Sequence, residues 1–127
     1  MIVVDTSALM EIALDSPRAG ECSSAMETAD EIAVSAGTLA EALVVAGREG
    51  VGAEMTKLVQ GFHMEVVPVT AATSRRVAAA YDRWGKGVHA ARLNLGDCFA
   101  YALAEERGCP LLFVGGDFSR TDVASCL

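Results

Sequence analysis

The chain opens on three β-branched apolar residues, Ile2-Val3-Val4, followed at once by Asp5 and two hydroxyls, Thr6 and Ser7. Mostly apolar runs of similar length recur at Ile32–Ser35, Glu65–Val69 and Leu111–Val114. Each reads as a short strand covered on both faces. Pro68 favours a sheet edge or a strand end for the third. Between the runs, apolar residues return at helical spacing. A first helix is expected from Ala8 to about Leu14, capped by Thr6 or Ser7. Asp15-Ser16-Pro17 breaks it, and Pro17 suits the start of a second helix reaching about Thr28. Gly37-Thr38 leads a third from about Leu39 to Arg48, ended by Gly50, and a fourth covers Gly52–Gly61. Thr70–Trp84 and Gly96–Arg107 follow, separated by Gly85-Lys86-Gly87 and a polar loop to Asn94. Gly108 and Pro110 stop the last helix, and Val123–Cys126 predicts a short final strand. This alternation predicts a three-layer α/β/α domain around a parallel sheet of four to five strands. Residues 1–127 are expected to form one such domain, with no repeat or linker.

Composition sharpens this in three ways. A hydrophobic fraction of 52% and mean hydropathy of +0.34 exclude a disordered chain. No basic leader and no run of about 18 apolar residues is present, so neither secretion nor a membrane span is expected, and the expected location is cytoplasmic. Cys22, Cys98, Cys109 and Cys126 form no CxxC pair, and only His63 and His89 could join them. Zinc ligation needs tighter spacing, so buried reduced thiols are expected.

The net charge of −7 is uneven. Residues 1–65 hold eleven acids and three bases, whereas residues 66–127 hold six and seven. Arg75, Arg76, Arg83, Lys86 and Arg92 have only Asp82 among them. An acidic protein does not bind nucleic acid broadly. A local basic wall is compatible with it, and so is an ordinary solvated helix face.

Four acids stand out against the apolar pattern. Asp5 closes the first strand, Glu41 lies within Leu39-Ala40-Glu41-Ala42-Leu43-Val44-Val45, Asp97 opens an apolar helix, and Asp117 follows Leu111–Gly116. A carboxylate among apolar groups is costly without compensation. In open parallel sheets ligands bind beyond the carboxyl ends of strands, where these acids can converge. Clustered carboxylates hold protons until a cation removes their repulsion. All-oxygen ligation suits Mg²⁺ or Mn²⁺, which can activate water and stabilise phosphodiester displacement. No phosphate-loop or dinucleotide fingerprint competes, nor does a Ser-His-Asp or Cys-His arrangement. Each acid also has a plain structural role open to it. Asp5 can cap a helix, Glu41 can reach solvent, Asp97 can complement a helix dipole, and Asp117 and Asp122 can sit in turns.

The segments Ile2-Val3-Val4-Asp5-Thr6-Ser7-Ala8-Leu9, Ser35–Ala42, Leu93–Ala104 and Leu111–Asp122 occur in an order and at intervals that resemble PIN-domain ribonucleases, specifically the VapC toxins of type II toxin–antitoxin systems. The resemblance implies Asp5, Glu41, Asp97 and Asp117 as the catalytic, metal-binding set, with Thr6 or Ser7 in support. It implies Mg²⁺- or Mn²⁺-dependent cleavage of RNA such as tRNA, rRNA or mRNA. It also implies a homodimer inhibited by a VapB-like antitoxin, with operator DNA bound by the antitoxin and not by this chain. Gly116 departs from the Asn that many relatives carry before the last acid. Asn94 is expected to cap the Asp97 helix, with a substrate contact as its other role. Arg92 and Arg120 flank the site and are candidates for RNA contact. Tyr101 can stack on a base or pack in the core. Two other readings compete. One is an aspartate-nucleophile phosphatase, although Ser7 stands where its second Asp would be. The other is a non-catalytic RNA- or protein-binding module.

Overall fold

Successive residues of a strand leave its sheet on opposite faces, and the core divides accordingly. In β1 (Ile2–Val4), Val3 joins one hydrophobic cluster and Val4 the other. Ala33 of β2 (Ile32–Ser35) follows Val3, while its neighbours Ile32 and Val34 follow Val4. Leu111 and Leu112 of β4 (Leu111–Leu112) part in the same way. The register makes this consistent, pairing Val3 with both Ala33 and Leu111, and Val4 with Leu112. With β3 (Glu65–Val67), these strands form one parallel sheet in the order β3-β2-β1-β4. The computed structural model describes residues 1–127.

Helices α1 (Thr6–Ala13), α2 (Ala19–Thr28), α3 (Ala36–Arg48) and α4 (Gly52–Gly61) contribute to the cluster holding Val4. Helices α5 (Ala71–Trp84) and α6 (Leu95–Arg107) build the other, centred on Tyr101, Leu93 and Phe118. The result is the expected three-layer α/β/α arrangement with four strands. No helix is long and apolar enough to cross a membrane.

Several element ends differ from expectation for identifiable reasons. α1 begins at Thr6, since its cap is Asp5 and neither hydroxyl. α2 begins at Ala19, because the Arg18 N–H is taken by the Glu11 carboxylate. α3 starts at Ala36, capped by the Ser35 hydroxyl, which accepts from the Gly37 N–H. β3 ends before Pro68, which cannot donate to the ladder. β4 stops at Leu112, and the Val114 N–H turns instead to the Ser7 hydroxyl. The expected last strand shrinks to one bridge between Ser125 and Leu111.

Candidate active site

In the order β3-β2-β1-β4 the chain leaves β1 towards β2 on one side and returns through β4 on the other. Asp5 ends β1 at this reversal. Its Oδ2 accepts from the Ser7 N–H at 3.0 Å and from the Ser7 hydroxyl at 2.6 Å. The Ser7 hydroxyl in turn accepts from the Val114 N–H at 3.0 Å, which ties the root of the Asp117 loop to α1. Asp5 is 4% exposed, and its other oxygen, Oδ1, is buried without a partner. Burial drives this carboxyl upward, the two Ser7 hydrogen bonds oppose the rise, and the Glu41 charge adds to it.

Asp97 lies in the first turn of α6 and is 7% exposed. Asn94 caps the helix: its side chain accepts from the Asp97 N–H at 2.8 Å. The Asp97 Oδ2 reciprocates by accepting from the Asn94 N–H at 3.0 Å. One Asp97 oxygen is thus spent on the cap. Burial pushes its carboxyl from an ordinary 3.8 up to about 7, with the Asn94 N–H pulling it down. The charges of Asp5, Asp117 and Glu41 push it further up. The other three acids therefore lie within electrostatic reach of Asp97.

They are not equally held. Glu41 is half-buried, with Val44 on its own face 61% exposed, and Asp117 is exposed. The expectation that all four sit among apolar groups thus fails for these two. Nor is any trio of Asp, Glu, His or Cys drawn up at metal-ligand spacing. Donor chemistry nevertheless fits a hard cation, with an orphaned buried oxygen on Asp5 and only carboxylates among the charges acting on Asp5 and Asp97. Uncompensated like charges repel. Asp117, the exposed acid, would have to swing inward to close a shell.

Thr6 is buried, and its hydroxyl donates to the Thr38 carbonyl at 3.3 Å, joining the starts of α1 and α3. Thr38 is fully buried, with an unpartnered hydroxyl that its position in an alanine-rich helix did not announce. Gly115 adopts φ +97°, so the turn before Asp117 requires glycine there. At Gly116 the nearest atom to an added Cβ is the Ser119 Oγ at 3.9 Å, so a side chain is tolerated.

The basic segment divides. Arg76 pairs with Glu106, and Arg83 pairs with Glu105 and Asp122. Lys86, Arg92 and Arg120 are exposed and outside every ion pair, and Arg92 sits at φ +55°. Tyr101 is a core residue. Its hydroxyl donates to Asp122 at 2.6 Å and lies 3.2 Å from Glu105. Burial and these carboxylates hold its ionisation well above the usual range. Asp122 is thereby an anchor between α5, α6 and the C-terminal segment. Trp84 is buried under the Arg83 guanidinium, with His89 edge-on to its ring. Cys22 and Cys98 are buried, Cys109 and Cys126 are half-buried, and all four are free thiols.

Comparison with known proteins gives this arrangement a family. The model of the PIN domain matches residues 2–124. VapC ribonuclease Mb0640 of Mycobacterium bovis is 42% identical over 128 aligned residues, which cover 98% of this chain and 97% of that protein. Ribonuclease VapC of Mycolicibacterium smegmatis is 40% identical, with 98% of each chain covered. Among solved structures, the sarcin-ricin loop cleaving toxin VapC20 of Mycobacterium tuberculosis superposes with a TM-score of 0.78 at 19% identity, covering 98% of this chain and 97% of that one. A toxin–antitoxin complex from Klebsiella pneumoniae gives 0.73 at 19% identity, covering 100% and 98%. The chain is a PIN-domain protein of the VapC ribonuclease family.

Proposed function

We propose that this protein is the toxin of a toxin–antitoxin pair, an endoribonuclease that hydrolyses RNA phosphodiester bonds at a cleft formed by Asp5, Glu41, Asp97 and Asp117, with Mg²⁺ or Mn²⁺ as cofactor. The observation that carries this reading is the pair of buried carboxylates at the switch point, one of them with an oxygen that nothing in the protein satisfies. A divalent cation bound there would neutralise the cluster, polarise the phosphoryl group and activate water for attack. Asp5 and Asp97 are fixed by helix caps and form the rigid half of the cleft. Glu41 and Asp117 form the adjustable half. Ser7 orients Asp5 and the last loop together. Arg92 and Arg120, exposed and free of ion pairs, are the proposed contacts for substrate phosphates, with Lys86 beside Arg92.

The relatives' names and the VapBC complexes among the structural neighbours support a VapB-like antitoxin as partner. Operator binding falls to that antitoxin in this reading. A homodimer is also proposed, for which the exposed Leu43 and Val44 of α3 offer unpartnered apolar surface. The protein would act in the cytoplasm.

One observation favours a second reading. No three of the acids stand at metal-ligand spacing, as in a module that binds RNA or protein without cutting. The separating experiment incubates antitoxin-free protein with total bacterial RNA in Mg²⁺, in Mn²⁺ and in EDTA, beside the Asp5→Asn and Asp97→Asn variants. Discrete fragments that need metal and vanish in both variants support the nuclease. RNA bound but uncut by folded protein in either metal would move the reading to the binding module.

A further inference from the structure

Glycines 37 and 96 occupy reciprocal places where α3 packs on α6. A Cβ built on Gly37 of α3 would fall 2.6 Å from Cγ and 2.8 Å from Cε1 of Phe99, on α6. A Cβ built on Gly96 of α6 would fall 2.8 Å from Cδ and 2.9 Å from Oε1 of Glu41, on α3. Each helix thus lays a side chain over a bare Cα of the other. Glu41 follows Gly37 by four residues and Phe99 follows Gly96 by three, so each pair shares a helix face. The two approaches differ in what can yield. Phe99 is a ring wedged between helices, whereas the Glu41 carboxylate is the free end of a flexible side chain.

We propose that Gly96 is a positioning residue, whose missing side chain lets the Glu41 carboxylate lie over the first turn of α6, next to Asp97. The proposal rests on the reading of these acids as a metal site. Glu41 engages no hydrogen-bond donor and no cation of this chain. Its place is therefore set by where it fits. Without the bare surface at 96, the carboxylate would turn away from Asp97 toward the solvent beside Val44. Gly37 sets the approach of the two helices, and Gly96 sets the reach of the acid.

The test is a double-mutant cycle read by Mn²⁺ affinity, by calorimetric titration or by the loss of the free-ion paramagnetic signal. It uses Gly96→Ala, Glu41→Ala and the combination, in the whole protein. Gly96→Ala is expected to weaken Mn²⁺ binding between about 10- and 100-fold. The metal-free melting temperature should hold or rise, since alanine favours the helix more than glycine. In the Glu41→Ala background the same substitution should cost nothing further, because the atom it displaces is gone. An equal loss in that background would overturn the proposal and assign the effect to helix packing, as would a metal-free melt that drops with affinity. Unchanged affinity in Gly96→Ala would also overturn it, while leaving the metal site standing. No Mn²⁺ binding by the wild-type protein would overturn the site itself, and the proposal with it.

Discussion

Replacing Asp97 by asparagine should make the metal-free protein more stable at alkaline pH, although it removes a proposed metal ligand. The capping role survives, because the amide oxygen introduced by Asp97→Asn can accept the Asn94 N–H as the Asp97 Oδ2 does at 3.0 Å. What disappears is the cost of ionising a buried acid. Its carboxyl moves from 3.8 to about 7 on folding. Because the folded value is the higher one, the proton stabilises the fold fully below about pH 4. That contribution fades as pH rises and is gone above about pH 7. At about 1.4 kcal/mol for each pH unit, the shift corresponds to at most about 4 kcal/mol. Side-chain relaxation reduces it, so a gain of about 2–4 kcal/mol for Asp97→Asn at pH 8 is expected. In a domain of this size that is on the order of 10 °C in melting temperature. The assay is scanning calorimetry in EDTA at pH 5 and pH 8. Most of the gap between variant and wild type should open between these two values. Added Mg²⁺ should then raise the wild-type melt and leave the variant unmoved. A variant that melts lower than wild type at pH 8 in EDTA would refute the reasoning. So would a gap of equal size at both pH values. The first result would make Asp97 a cap whose charge the fold wants, and the second would show that its ionisation is not what costs stability.

Three further outcomes are expected. Ser7→Ala removes the hydroxyl that joins Asp5 to the Val114 N–H. It should cost about 1–3 kcal/mol in urea unfolding and weaken Mn²⁺ binding by at least about tenfold. Tyr101→Phe loses the 2.6 Å bond to Asp122. It should cost about 1.5–3 kcal/mol, with faster amide exchange at Leu111 and Cys126 and RNA cleavage intact. Lys86→Ala with Arg92→Ala should leave the melting temperature within about 1 °C. It should also flatten the salt dependence of RNA binding by roughly 0.7 for each phosphate no longer neutralised, measured from 50 to 200 mM salt.

β1, β2 and β4 were legible because the sheet is covered on both faces there, which leaves no polar alternation and makes Ile2–Val4 and Ile32–Val34 continuous apolar runs, whereas the expected cover is missing at the edge strand β3, where Glu65 and Val66 are exposed. Gly52–Gly61 was legible from its bounding breaks. Errors cluster where a side chain competes with backbone pairing, as when Asp5 displaces Thr6 and Ser7 as cap, or when the Ser7 hydroxyl draws Val114 out of the ladder. The site was half legible. A charge closing an apolar run foretold the burial of Asp5, and an acid opening an apolar helix foretold that of Asp97. Glu41 looked just as embedded, yet its helix turns Leu43 and Val44 to the surface. Neighbours in sequence do not report which face of α3 meets the sheet. Thr38 and Gly96 were missed for the same reason, since each matters through an element remote in the chain.

The parallel pairing of β1 with β4 has a consequence in time. Val4 lies beside Leu112. β1, made before the other three strands, therefore waits until Leu112 has been made before its second neighbour exists. Asp117, from the same C-terminal stretch, is the last of the four acids to emerge. At about 5–20 residues per second of synthesis, this leaves several seconds with the cleft incomplete. A growing chain holds Asp5, Glu41 and Asp97 without the strand and loop that finish their surroundings. Whatever chemistry the four acids perform therefore waits until Leu112 and Asp117 have been made.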